Sequence, residues 1–336
     1  MGKSELAALK AALKSGELAR CYIFYGEEAY LREYYLRQLR ALVCDAPAGE
    51  FNYHKLEARS ITVQQVSDAV EAMPMMQDRT LVELDDFDLY KASERDQWVS
   101  LLSDLPDYCT LLLHYDTVAW KPDRRIKKLT DAITKNAVVV EFAKQETREL
   151  ITWTRRRLLA LHKQISDAAA EYLIFRTGSD MTTLAMECEK LAAYTAGEEI
   201  TQREIDAVTE PVLEAQVFAI VDALAARRKE EALRRLHDLL TLQEEPIPIL
   251  AAMGSQLRRL YAACVLRGSR TAVKDLQELH KLQNYPARMS IEAASRLTVE
   301  WCARAVTLCE QTDYRLKTSY DDAGRLLELM LLEMMQ

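Results

Sequence analysis

The apolar positions change their period once along the chain. Up to about residue 143, short apolar runs of strand length are interleaved with stretches whose apolar residues recur every three to four positions; beyond residue 147 only the longer period persists. The first pattern predicts strands at residues 21–25, 51–53, 80–84, 110–114 and 137–142, with helices over 4–13, 28–43 and 62–73 among the segments between them. Strands alternating with helices favour a mostly parallel sheet covered on both faces. The second pattern predicts helices alone, over 148–162 and 167–176, then one opening at Ser179-Asp180-Met181 and one capped by Thr201. Pro211 marks a boundary, and further helices are expected over 216–227, 229–242, 247–266, 271–279, 290–310 and 320–334. The leucine-rich stripes of this last third imply either a compact bundle or an assembly surface.

One junction organises the first part. Val63, Val66, Val70 and Met73 share a helical face, and Pro74 then stops the helix, since it has no N–H to donate and disfavours helical geometry in the residue before it. Met75 and Met76 follow, and Thr80-Leu81-Val82-Glu83-Leu84 resumes as a strand. Two flexible, polarizable thioethers on a helix-to-strand corner suit an irregular pocket on a partner. Composition by itself favours the other outcome, in which they fold back into their own core.

Composition narrows the function classes. A chain of 336 residues exceeds one ordinary core, so two or three domains are expected. The formal net charge of -8 argues against a whole-surface grip on nucleic acid and leaves only a local patch. The run Arg155-Arg156-Arg157 is the nearest to one, and such runs are usually solvated faces. Seven cysteines form no C-x-x-C pair and are expected to be buried thiols of a reducing compartment. The five histidines are scattered without metal-site spacing, so no metal is proposed. Residues 1–20 lack a secretory apolar core and no apolar run reaches spanning length, which predicts a cytoplasmic protein with no membrane contact.

The first strand and turn stand where a nucleotide-binding protein carries G-x-x-x-x-G-K-[ST]. Here the turn reads Gly26-Glu27-Glu28-Ala29-Tyr30-Leu31-Arg32, with no second glycine, no lysine before Ser or Thr, and two glutamates where phosphate charge should lie. Asp85-Asp86 closing a strand resembles a pair of magnesium-binding carboxylates only weakly without that loop. No nucleophile, base or cofactor motif competes, so no catalytic residue and no cofactor is nominated.

Several stretches together resemble the delta subunit of the bacterial DNA polymerase III clamp loader. They are Tyr22-Ile23-Phe24-Tyr25-Gly26-Glu27-Glu28, Met73-Pro74-Met75-Met76-Gln77-Asp78-Arg79, Gly178-Ser179-Asp180-Met181 with Glu189-Lys190-Leu191, Val217-Phe218-Ala219-Ile220-Val221-Asp222-Ala223-Leu224, and Asp313-Tyr314-Arg315-Leu316-Lys317, with Glu245-Pro246 between the last two. The resemblance implies an α/β plus all-α chain. Its parts would be an AAA+-like clamp-binding module without ATPase activity over 1–143, a small helical lid over 144–210, and a helical collar over 211–336 that joins a pentameric ring with the gamma/tau and delta prime subunits. It implies binding to the sliding clamp (the beta subunit) and holding its ring open for loading onto primer-template DNA. Carried over, Met75 and Met76 are the paired anchors, with Met73 and Pro74 shaping the corner. The pair lacks the aromatic residue of the commoner pattern. Tyr285 and Tyr320, expected in segments between collar helices, are candidates to stack on an unpaired base. The rival readings are an ATP-dependent enzyme using Asp85 and Asp86, and a helical scaffold with no clamp partner.

Overall fold

Cys21-Tyr22-Ile23-Phe24-Tyr25 carries no charged side chain, and it folds as an interior strand of a parallel sheet with residues buried on both faces. The computed structural model of the chain describes residues 2–45, 49–57 and 61–336. Its first compact unit, Met1–Gln145, runs α1 (Gly2–Ser15), β1 (Cys21–Tyr25), α2 (Ala29–Cys44), β2 (Tyr53–Glu57), α3 (Val63–Glu71), β3 (Thr80–Asp85), α4 (Arg95–Ser103), β4 (Cys109–His114), α5 (Lys127–Asn136) and β5 (Val138–Glu141). The five strands lie in the order β2-β3-β4-β1-β5, and every neighbouring pair is parallel.

Successive side chains of a strand point to opposite faces, which splits the apolar residues between two cores. Ile23, Val82, Leu84, Leu111 and Leu113 meet Val63, Val66 and Val70 of α3, Trp98 of α4 and Leu129 of α5. Tyr22, Phe24, Leu81, Leu112 and Val140 meet Leu9 of α1 and Leu36 and Leu39 of α2 on the other face. Because all strands run one way, their carboxyl ends collect Gly26, Asp86, Tyr115 and Phe142 at one edge of the sheet. Their amino ends collect Asn52, Arg79 and Tyr108 at the opposite edge.

Two expectations for this unit are corrected. The strand expected at 51–53 begins only at Tyr53, after a 3-10 turn over Gly49–Asn52; as an edge strand with Tyr-His-Lys-Leu-Glu it is half solvated and carries little apolar signal. The helix expected over 62–73 stops at Glu71, because Ala72 is already extended ahead of Pro74. Its start is fixed by a capping box between Thr62 and Gln65.

The second unit, Glu146–Gln336, contains α6 (Thr147–Ala160), β6 (Gln164–Ile165), α7 (Asp167–Thr177), α8 (Met181–Tyr194), β7 (Glu199–Ile200), α9 (Gln202–Val208), α10 (Leu213–Ala225), α11 (Lys229–Thr241), α12 (Pro246–Leu266), α13 (Ala272–His280), α14 (Asn284–Ala294), α15 (Val299–Thr318) and α16 (Ala323–Met334). The expectation of no strand here is overturned by β6 and β7, a parallel pair too short to leave a period. The single helix expected over 290–310 is two, α14 and α15, separated by a turn that Thr298 ends by accepting a hydrogen bond from the Trp301 backbone N–H. A core of Ile220, Leu236, Leu257, Leu260, Leu327 and their neighbours joins α10, α11, α12, α15 and α16. Six cysteines are buried and Cys44 is only partly so, against the expectation that all seven are interior. Cys302 lies with its sulfur 3.6 Å from Cys264, far away in the chain, rather than beside Cys309. Among the described residues, no helix is long and apolar enough to cross a membrane.

Candidate functional site

The corner between α3 and β3 is held by its backbone and open at its side chains. The Asn52 carboxamide, fully buried, accepts from the Met75 N–H at 2.6 Å and donates to the Met75 carbonyl at 2.9 Å. Tyr108 donates its hydroxyl to the Glu71 carbonyl at the end of α3, at 3.1 Å. On the exit side Arg79 reaches the Leu18 carbonyl at 3.3 Å and the Thr110 hydroxyl at 3.2 Å. Met73, Met75 and Met76 are nevertheless 78%, 51% and 86% exposed. Pro74 sets the extended approach. Met76 adopts a left-handed φ of 55°, a conformation a non-glycine side chain takes at a cost of about 1–2 kcal/mol. The fold-back that composition favours does not occur; three large apolar side chains stand in water on a strained, pinned turn.

The opposite edge holds the degenerate phosphate loop. Gly26 has φ +125°, and a Cβ there would collide with the Phe142 backbone. The Glu28 N–H, which a phosphate would need, donates to the Phe142 carbonyl at 2.8 Å. Arg32 occupies the position at which a phosphate-binding loop has its lysine. Its buried guanidinium is spent on the Gly26 carbonyl, on Asp116 and on His114 Nε2, the last at 3.0 Å from Arg32 Nε. Since Nε2 accepts, the His114 proton sits on Nδ1 and faces Asp85 at 3.2 Å. Sequence reading noted the missing lysine and missed this internal cation.

Asp85 and Asp86 are likewise engaged. Asp86 accepts from the backbone N–H groups of Asp116, Thr117 and Val118 and from the Thr117 hydroxyl, which ties down the loop after β4. Asp85 pairs with Lys55 at 2.7 Å. Glu83, Asp85 and His114 place three ligand atoms within 4.8 Å of one another, but Arg40, Tyr53, Lys55 and Arg32 already use those donors. The set forms an internal ion network, and its chemistry does not suit a metal.

Burial pushes both aspartates up, yet it is outweighed at Asp85 by hydrogen bonds from His114 and Lys55, and at Asp86 by the Thr117 hydroxyl and the loop N–H groups, so both carboxyls end below the usual range. A carboxyl depressed in the fold stabilises it fully above its unfolded value, near about 4, and loses that contribution as the pH falls toward the folded value. Urea unfolding of the α/β unit is therefore expected to show a midpoint that drops steeply from about pH 5 to pH 3. In Asp86→Asn the drop should be shallower.

The two tyrosines part company. Tyr285, expected in a connecting segment, lies in the first turn of α14, where Pro286 is tolerated because first-turn N–H groups have no helical partner. Its N–H donates to the Glu171 carboxylate at 3.0 Å. Its ring packs on Tyr172 and Phe175 at centroid distances of 5.6 and 5.0 Å, and burial, then Tyr172, pushes its hydroxyl up to about 12. Tyr320 stands fully exposed between α15 and α16. Of the basic run, Arg155 pairs with Asp167 and Arg157 with Glu189, as a solvated face does.

Comparison with known proteins decides the family. A family model described as DNA polymerase III, delta subunit, matches residues 22–143, and one described as the DNA polymerase III delta subunit, C-terminal domain, matches residues 214–334. The chain belongs to the DNA polymerase III delta-subunit family. A middle-domain model matches residues 146–207 of this delta-family chain. It is 26% identical over 336 residues to DNA polymerase III subunit delta of Bacillus subtilis, covering 97% of this chain and 95% of that one. To the probable DNA polymerase III subunit delta of Aquifex aeolicus it is 24% identical over 254 residues, covering 72% and 70%. The solved structure of the Bacillus subtilis DNA clamp loader delta protein matches its fold with a TM-score of 0.57 at 23% identity, over 98% of this chain and 99% of that one. This delta-family chain thus shares the fold of that protein, and the α/β unit that carries the corner is a five-stranded parallel sheet with helices on both faces.

Proposed function

We propose that this chain is the non-ATPase subunit that binds the sliding clamp through Met75 and Met76, presented by Met73 and Pro74, and holds the ring open for loading onto primed DNA. The observation that carries the reading is the exposed methionine corner on a backbone clamped by Asn52. A surface held rigid before binding loses little conformational entropy on docking, so most of its apolar burial goes into affinity. If that surface fits the opened clamp interface better than the closed one, the open population rises by the ratio of the two affinities, and no hydrolysis by this chain is needed. Arg32 and Phe142, which take up the phosphate groups' place, support leaving ATP hydrolysis to other subunits.

The further partners are the gamma/tau and delta prime subunits in a pentameric ring, with primer-template DNA met by the assembled complex in the cytoplasm. The division into clamp-binding module (1–143), lid (144–210) and collar (211–336) goes with that assembly. A stacking contact with DNA is proposed for Tyr320, whose ring is open, ahead of Tyr285, whose ring is engaged by two others. The test is a titration of fluorescently labelled sliding clamp with the purified chain, without nucleotide. Saturable binding unaffected by added ATP is expected; a requirement for ATP, or no binding at all, would overturn the proposal.

A further inference from the structure

The paired anchors of this chain contain no aromatic side chain, yet an exposed one neighbours the residue that holds Met75. Phe51 lies in the 3-10 turn Gly49–Asn52 and is 66% exposed. Both ends of that turn are fixed. A Cβ at Gly49 would collide with the carbonyls of Val43 and Cys44, and Asn52 makes the two hydrogen bonds that hold Met75. β2 and β3 pair in parallel with Tyr53 level with Leu81. The turn that carries Phe51 and the methionine corner therefore lead into neighbouring strands at the amino edge of the sheet. One peptide separates Phe51 from the side chain that grips Met75, so ring and thioethers emerge from a single braced piece of backbone.

We infer that Phe51 is the aromatic member of the clamp-binding surface, supplied from the turn before β2 instead of from the anchor pair, and that Asn52 is the positioning residue that fixes the two parts in register. The inference rests on the reading of the corner as the clamp-binding site. Its occupant is an apolar pocket of the sliding clamp continuous with the one that takes Met75 and Met76. A rigid ring beside two flexible thioethers gives the patch the fixed area that methionine alone lacks.

The test compares clamp affinity, melting temperature and assembly with the other loader subunits for the wild type, Phe51→Ala, Phe51→Leu and the double variant Met75→Ala, Met76→Ala. Phe51→Ala is expected to weaken clamp binding by about 10- to 30-fold with an unchanged melting temperature and normal assembly, and Phe51→Leu to recover part of the loss. A photo-crosslinking phenylalanine analogue placed at position 51 should trap the clamp. Wild-type affinity for Phe51→Ala alongside lost affinity in the double methionine variant would overturn the role of Phe51 and leave the corner intact. Wild-type affinity in the double methionine variant would instead overturn the reading of the corner itself. Impaired assembly with unchanged clamp affinity in Phe51→Ala would place the ring against a loader subunit and also overturn the inference.

Discussion

Replacing Met75 and Met76 together by alanine is expected to weaken binding to the sliding clamp by about 100-fold or more and to leave the melting temperature where it is. Burying a methionine side chain is worth about 1.5–3 kcal/mol. Truncating two therefore removes about 3–6 kcal/mol of interface energy, and each 1.4 kcal/mol is tenfold in affinity. Little is lost in the free protein, because both side chains are already more than half exposed and create no cavity when cut back. Met76→Gly sharpens the test. It removes one anchor and also the left-handed strain at that residue, so binding should fall while stability stays within about 1 kcal/mol. Isothermal titration against the clamp checks affinity and calorimetric scanning checks stability. Undiminished binding by the double variant would mean that the corner is not the contact.

Arg40→Ala is expected to destabilise the α/β unit by about 3–4 kcal/mol, a change large enough to read directly from a urea titration. Glu83 points from β3 with its side chain fully buried, and Arg40 of α2 meets it with both Nε, at 2.8 Å, and Nη2. Tyr53 adds its hydroxyl at 2.7 Å. Without the guanidinium, the buried carboxylate is left, among the cations of the described residues, with a distant Lys55 at 3.8 Å beside the Tyr53 hydroxyl. Removing one partner of a buried pair costs more than replacing both, since the penalty is the uncompensated charge. The double variant Arg40→Met, Glu83→Leu should accordingly be more stable than Arg40→Ala alone. A loss under about 1 kcal/mol for Arg40→Ala would show that water reaches Glu83 once the arginine is gone.

Periodic features of the fold were legible. β1, β3, β4 and β5 were expected within a residue or two of where they lie, because interior parallel strands are apolar along their whole length. The α3 corner was legible because proline acts through local sterics. Edge strand β2 was misplaced and the β6–β7 pair missed, since neither has enough buried residues to set a period. Tyr285, expected in a connection, lies in the first turn of α14, where Pro286 suits the start of a helix.

By itself the sequence determined which segments are strands and helices, that the phosphate loop lacks its glycine and lysine, and that two methionines follow a helix-stopping proline. Those are properties of neighbours in the chain, set by backbone sterics and by the period at which apolar groups must reach a core. Only the tertiary structure decided that the methionines face water, that Asn52 holds the Met75 backbone, that Phe51 is exposed in the turn before β2, and that Arg32 lies across the loop where phosphates would sit. Each of those depends on a pairing between residues remote in sequence, such as Asn52 with Met75 or Arg32 with Asp116. A hydrogen bond or ion pair of that kind leaves no repeat along the chain, because its geometry exists only after the sheet has brought the two partners to the same edge.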